Sequence, residues 1–243
     1  MSFAAVDIGN SYIKIYPENT NPEDAVWCRG VGEAVEACRK AGADRVAYCT
    51  TRTLTVEELD LAGEAGWWEL RYGVRLPIEV KYDTPATLGA DRLAAAAGVW
   101  KLYPGQTVLT ADLGTALTLD LMSAAGEFLG GNISPGIGLR LRALHDHTSK
   151  LPLVESGDET GWLGHDTRTA ILAGCETGPA YETAGTFRQA RRERGCSLVV
   201  ATGGGAGVLI NCLKRLYGDE IPLAHEPGLV AEGLKLAYTL NHE

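Results

Sequence analysis

The feature that most constrains this chain is a turn that it uses twice. Ala5-Val6-Asp7-Ile8-Gly9-Asn10-Ser11 near the N-terminus is matched, about a hundred residues later, by Thr110-Ala111-Asp112-Leu113-Gly114-Thr115-Ala116. Each copy follows an apolar run and puts an Asp at the end of an expected strand. Each then uses Gly for a tight turn and a small hydroxyl or amide residue for polar contacts. Two copies in the same local context predict two halves of similar architecture. If the turns face each other, two carboxylates and two beds of backbone N–H groups line one cleft. Such a cleft suits a polyphosphate and its metal ion.

At 243 residues and 45% hydrophobic content the chain is able to bury a full core in one or two domains. Its net charge of −9 argues against a nucleic-acid partner. No run reaches the roughly 18 apolar residues of a membrane span, and the N-terminus lacks the pattern of a secretion signal. Cys28, Cys38, Cys49, Cys175, Cys196 and Cys212 form no C-x-x-C pair. Buried thiols in a reducing, cytoplasmic setting are the expectation.

The pattern of apolar residues predicts strands over 3–7, 11–16, 26–28, 45–49 and 76–80. It predicts helices over 32–41, 55–65 and 86–102, the second opened by a T-x-x-E capping box at Thr55. Strands over 107–111, 116–122 and 127–133 follow. A helix then opens at Pro135-Gly136 and runs towards His145. Residues 151–165 are loop-like, helices cover 167–194, a strand covers 197–201 with a helix after Gly205, and a last helix begins near Pro227-Gly228. Alternating strands and helices indicate an α/β fold.

Several residues carry possible chemistry, each beside a plainer alternative. Lys14, on the strand after the first turn, either reaches a phosphate or is a solvated strand lysine. Asp7 either faces the cleft or caps its turn. Asp91 and Arg92 open an apolar helix, where a carboxylate could serve as general base and a guanidinium could hold a substrate carboxylate; a structural Asp–Arg pair is the alternative. Gly130-Gly131-Asn132-Ile133-Ser134-Pro135-Gly136 and Thr202-Gly203-Gly204-Gly205 are Gly-rich strand-to-helix junctions, open to ligand groups or simply tight turns. His145 and His147 lack a third ligand nearby, so no metal site is expected there. No P-loop and no nucleophile elbow is present.

Taken together these blocks resemble type III pantothenate kinase, a family of the acetate and sugar kinase, Hsp70 and actin superfamily. The resemblance runs the length of the chain. It covers Asp7 to Ser11 with Lys14, Tyr82 with Gly89-Ala90-Asp91-Arg92, and Asp112 to Ala116 with Thr118 and Asp120. It continues through Gly130 to Gly136, Gly164 with Thr167, Thr202-Gly203-Gly204, and Pro227-Gly228-Leu229 with Gly233-Leu234. The D-x-G turns identify only the superfamily, whereas G-x-D-R together with G-G-x-I-x-P-G is specific to the family. Ser11 stands where many members have Thr, which keeps the hydroxyl.

The resemblance implies two actin-like (ribonuclease H-like) halves, each a mixed sheet flanked by helices, with the active site in the cleft between them. The expected division is 1–105 and 106–243, the second half carrying the dimerisation helices. It implies ATP-dependent phosphorylation of pantothenate at its terminal hydroxyl, the first step towards coenzyme A. On this basis Asp7, Ile8, Gly9, Asn10, Ser11, Tyr12, Ile13 and Lys14 bind ATP phosphates and Thr115 also contacts ATP. Tyr82, Gly89, Ala90, Asp91, Arg92 and Thr167 contact pantothenate, and Asp91 is the base. Asp112 binds a monovalent cation (K+ or NH4+), Mg2+ accompanies ATP, and the protein is a homodimer. A non-catalytic relative that binds nucleotide or pantothenate is one rival, and a different small-molecule kinase on the same fold is a second. Thr167 could alternatively be an ordinary helix N-cap.

Overall fold

The computed structural model describes residues 2–157 and 161–242. The chain forms two compact units: Met1–Gly105 with Ala125–Leu129 and Gly228–Glu243, and Gln106–Ala124 with Gly130–Pro227.

The first unit is built on a sheet of β1 (Phe3–Ile8), β2 (Ile13–Pro17), β3 (Val26–Cys28), β4 (Arg45–Thr50) and β5 (Trp68–Glu69), in the order β3-β2-β1-β4-β5. β1 and β2 form the hairpin around the first turn, and β3 extends it antiparallel. β4 and β5 are parallel additions reached through α1 (Val31–Lys40) and α2 (Val56–Glu64). The capping box forms as expected: the Glu58 N–H donates to Thr55 Oγ1 and the Thr55 N–H to Glu58 Oε2. Arg52 pairs with the same carboxylate at 2.6 Å.

α3 (Ala90–Leu102) starts four residues later than the sequence suggests, because Pro85–Thr87 is a separate single turn. Its Ala-rich middle is buried from Arg92 to Val99. α7 (Leu229–His242) lies against it. A Cβ on Gly98 would collide with the Leu229 carbonyl, and one on Gly233 with the Ala94 carbonyl. Only glycine allows so close an approach. This packing draws the last helix into the first unit. So does the start of β9 (Glu127–Pro135), where residues 127 and 128 pair with β6 (Glu79–Val80). The expected split at 105/106 treats the halves as contiguous, whereas the first unit also takes residues 125–129 and 228–243 from the second half.

The second unit repeats the hairpin with β7 (Val108–Leu113) and β8 (Ala116–Met122). With β10 (Leu198–Thr202) and β11 (Leu223–His225) its strands run β11-β10-β7-β8-β9. Helices α4 (Ile137–Asp146), α5 (Thr167–Arg194) and α6 (Ala206–Tyr217) flank it. Leu109, Leu113, Leu172, Phe187, Leu209 and Leu213 are part of the buried core. α5 is one helix of 28 residues despite Pro179 in its interior, and it stops at Gly195 in the left-handed conformation (φ 67°). Residues 158–160 of the expected 151–165 loop lie outside the described residues.

All six cysteines are buried and none forms a disulfide. Among the described residues no helix is long and apolar enough to cross a membrane.

Candidate active site

Strand register assembles the first half of the site. Asp7 on β1 lies opposite Lys14 on β2 and Cys49 on β4, and Lys14 lies opposite Trp27 on β3. Residues directly opposite share a face. Four side chains therefore stand in one row across the end of the sheet. The Lys14 ammonium sits 5.1 Å from the centroid of the Trp27 ring, and Tyr12 meets Trp27 edge-on at 5.6 Å. The Cys49 thiol donates to Asp7 Oδ1 at 3.9 Å. The turn closes with the Gly9 N–H donating to the Tyr12 carbonyl at 3.0 Å. Asn10 and Ser11 are exposed at its tip, with Asn10 Nδ2 donating to Thr51 Oγ1. Ile8 and Ile13 are buried core residues, so only their main chain is available to a ligand.

Asp91 enters from the N-terminus of α3. A Cβ on Gly89 would collide with Asp91 Oδ1, so the carboxylate folds back over Gly89. Burial raises the Asp91 pKa, and the N–H of Arg92 and the Arg92 charge hold part of it back. Burial also raises that of Asp7, to about 6, against the attraction of Lys14; the Asp91 charge adds to the rise. The two acids therefore feel each other. Arg92 is buried, its guanidinium 5.6 Å from the ring centroids of both Tyr82 and Phe128. Ala90, the first residue of the helix, and Gly89 before it are half-buried beside this clamp. Phe128, Trp27 and Cys49 escape sequence reasoning, because only strand pairing brings them to the site.

The second turn is built alike. Asp112 on β7 lies opposite Thr118 on β8 and Thr202 on β10, and the Gly114 N–H donates to the Ala116 carbonyl at 2.9 Å. Gly203 takes φ +85°, and a Cβ there would collide with Asp112 Oδ1, so that glycine is required twice over. Thr110, on the same face two residues before Asp112, is buried with its hydroxyl lacking a hydrogen-bond partner. It lies opposite the buried Asp120. This oxygen-rich face fits a hard cation rather than a metal that prefers thiolate or imidazole ligands. Among the described residues no His/Cys/Asp/Glu cluster of metal-binding type occurs, and His145 instead contacts the Leu151 carbonyl at 3.1 Å.

Thr167 is the exposed first residue of α5 but not its cap. Asp166 caps the helix, accepting from the Thr169 N–H at 2.8 Å, while Thr169 Oγ1 accepts from the Asp166 N–H at 3.0 Å. The Thr169 N–H and hydroxyl, both donated to its carboxylate, hold the Asp166 pKa below the usual carboxylate range. The D-x-x-T pattern carried this signal in the sequence.

The profile of the type III pantothenate kinase family matches residues 3–189. The chain belongs to that family. The type III pantothenate kinase of Porphyromonas gingivalis is 42% identical over 243 residues, covering 96% of this chain and 97% of its own. That of Bacteroides fragilis is 42% identical over 205 residues, covering 82% and 84%. Among solved structures, the activator of 2-hydroxyisocaproyl-CoA dehydratase from Clostridium difficile, with bound ADPNP, superposes with a TM-score of 0.55 at 15% identity, over 99% of this chain and 96% of that one. At that identity the likeness concerns the fold alone. The type III pantothenate kinase fold here is mixed α/β, with two sheets flanked by helices, as the resemblance implied.

Proposed function

We propose that this protein transfers a phosphoryl group from ATP to the terminal hydroxyl of pantothenate, the first step towards coenzyme A. Family membership supports the reaction class. The observation that carries the mechanism is Asp91: a half-buried carboxylate of raised pKa, folded over Gly89, with Arg92 beside it. Raised basicity suits a group that must accept a proton from an alcohol at neutral pH while ionised itself.

Asp91 orients the pantothenate hydroxyl and takes its proton as the oxygen attacks. Arg92, clamped by Tyr82 and Phe128, is held rigidly enough to bind the pantothenate carboxylate. Lys14 and the main chain of residues 7–14 bind the ATP phosphates, and Thr115 contacts the nucleotide from the second turn. Burial leaves the ionised Asp7 carboxylate poorly stabilised even beside Lys14, which fits a carboxylate that faces Mg2+; Asp112 with its threonine neighbours fits K+ or NH4+. Both ions, when bound, neutralise phosphate charge. Thr167 contacts pantothenate across a homodimer. Its exposure and freedom from capping support that role, as do the exposed Ile133, Leu139 and Tyr181 on β9, α4 and α5, which an interface would cover. Six buried thiols suit a cytoplasmic setting.

Asp91→Asn tests the mechanism. The amide keeps the size but cannot take a proton, so phosphorylation should fall by about 10²–10⁴ while ATP binding, measured by calorimetry, stays near wild type. Wild-type turnover would remove Asp91 from the role of base.

A further inference from the structure

The second turn is backed by polar side chains that the chemistry above does not use. The Gly136 N–H donates to the Thr115 carbonyl at 2.9 Å. A Cβ on Gly136 would lie 2.7 Å from that oxygen and would collide with the Gly114 carbonyl, so the end of β9 rests directly on the turn. Just upstream, the Pro135 carbonyl accepts from Arg140 Nε at 2.7 Å, and Ser134 Oγ accepts from Arg140 Nη2 at 3.3 Å. Ser134 Oγ donates in turn to Glu182 Oε2 at 2.5 Å, and the other oxygen of Glu182 takes Arg140. One carboxylate on α5 thus holds a serine on β9 and an arginine on α4. Space for the guanidinium is kept by Gly178, one turn earlier on α5, where a Cβ would stand 2.8 Å from Arg140 Nη1.

We propose that Glu182, Arg140 and Ser134 act as a positioning unit that fixes the end of β9 against Thr115 and so sets the nucleotide-binding geometry of the second turn. The proposal rests on the reading that Thr115 contacts ATP. Partial exposure of both ionic partners (20% and 38%) screens their attraction, so the unit contributes more to geometry than to stability. The guanidinium reaches the Pro135 carbonyl, Ser134 and Glu182 from one rigid plane, which a lysine cannot do.

The alternative is an ion pair that merely ties α4 to α5. Glu182→Ala, Arg140→Lys and Gly178→Ala separate the two. Each is compared with Thr115→Val and with Arg188→Ala, a change on the same helix as Glu182 that breaks the 2.8 Å pair of Arg188 with Glu220. Affinity for a non-hydrolysable ATP analogue, both Michaelis constants and the melting temperature are measured. Glu182→Ala and Arg140→Lys should weaken the analogue about tenfold, since small misplacements of binding groups are costly. They should raise KM for ATP and leave KM for pantothenate within about twofold. Gly178→Ala should weaken the analogue without lowering the melting temperature, because alanine favours helix over glycine; it carries the test if Glu182→Ala fails to fold. Arg188→Ala should change neither constant. Wild-type affinity in the network variants beside a weakened Thr115→Val, or equal weakening in Arg188→Ala, would overturn the positioning unit. Wild-type affinity in Thr115→Val would overturn the reading of the turn beneath it.

Discussion

Asp7 and Lys14 face each other across the first hairpin, yet their attraction does not bring Asp7 down to an ordinary carboxylate pKa. Burial wins, and Asp91 adds to it. The sign of the resulting pH dependence follows. Asp7 titrates at about 6 in the folded protein against an ordinary 3.8, so its ionisation penalises the folded state as pH rises through that window. Asp7→Asn carries no such penalty. Without nucleotide or Mg2+, the variant should be more stable than wild type above pH 6, and the advantage should shrink as pH falls towards 3.8. Urea titrations at steps across the window check this, and a variant less stable than wild type at neutral pH would contradict the burial argument. The acids, Lys14 and Arg92 were legible in the sequence because short motifs place them. Trp27, Cys49 and Phe128 were not, because each reaches the site only through its pairing partner: Lys14, Asp7 and Val80.

At the scale of elements, the long periodic segments are those the sequence predicts well. Some short ones escape it, although β3 and β6 fall within strands expected over 26–28 and 76–80. β5 has two residues and β11 three, too few for any period to register. Pro85 reads as a helix start and puts the expected start of α3 at residue 86, whereas Leu88 and Gly89 take extended backbone before the helix begins. The contact between α3 and α7 depends on Gly98, which sequence reasoning passes over, and on Gly233, which it treats only as a family marker. Gly233→Ala would drive a methyl into the Ala94 carbonyl, and the buried helices have little room to separate. It should cost about 1–3 kcal/mol of stability, read by denaturant unfolding, with no selective change in either Michaelis constant. An unchanged unfolding midpoint would show that the helices part easily.

For the whole molecule, the repeated turn was enough to anticipate two α/β units, each with a hairpin around its own D-x-G turn. The exchange of residues 125–129 and 228–243 into the first unit was not legible, because it depends on the packing of α7 and the pairing of β6. Assembly belongs to this scale as well. Light scattering should find a dimer. Thr167→Ala should raise KM for pantothenate and not for ATP, and should leave the melting temperature unchanged, since Asp166 provides the cap. A monomer, or a variant altered only in melting temperature, would contradict the shared pocket.

The reaction assigned to this chain is the phosphorylation of pantothenate. Coupled ADP release, run with and without pantothenate in potassium, ammonium and sodium buffers, tests it most directly. Rapid ADP release that depends on pantothenate and is faster in potassium or ammonium than in sodium is the expected result. Nucleotide binding with no pantothenate-dependent ADP release in any of the three buffers would contradict it and favour a non-catalytic relative.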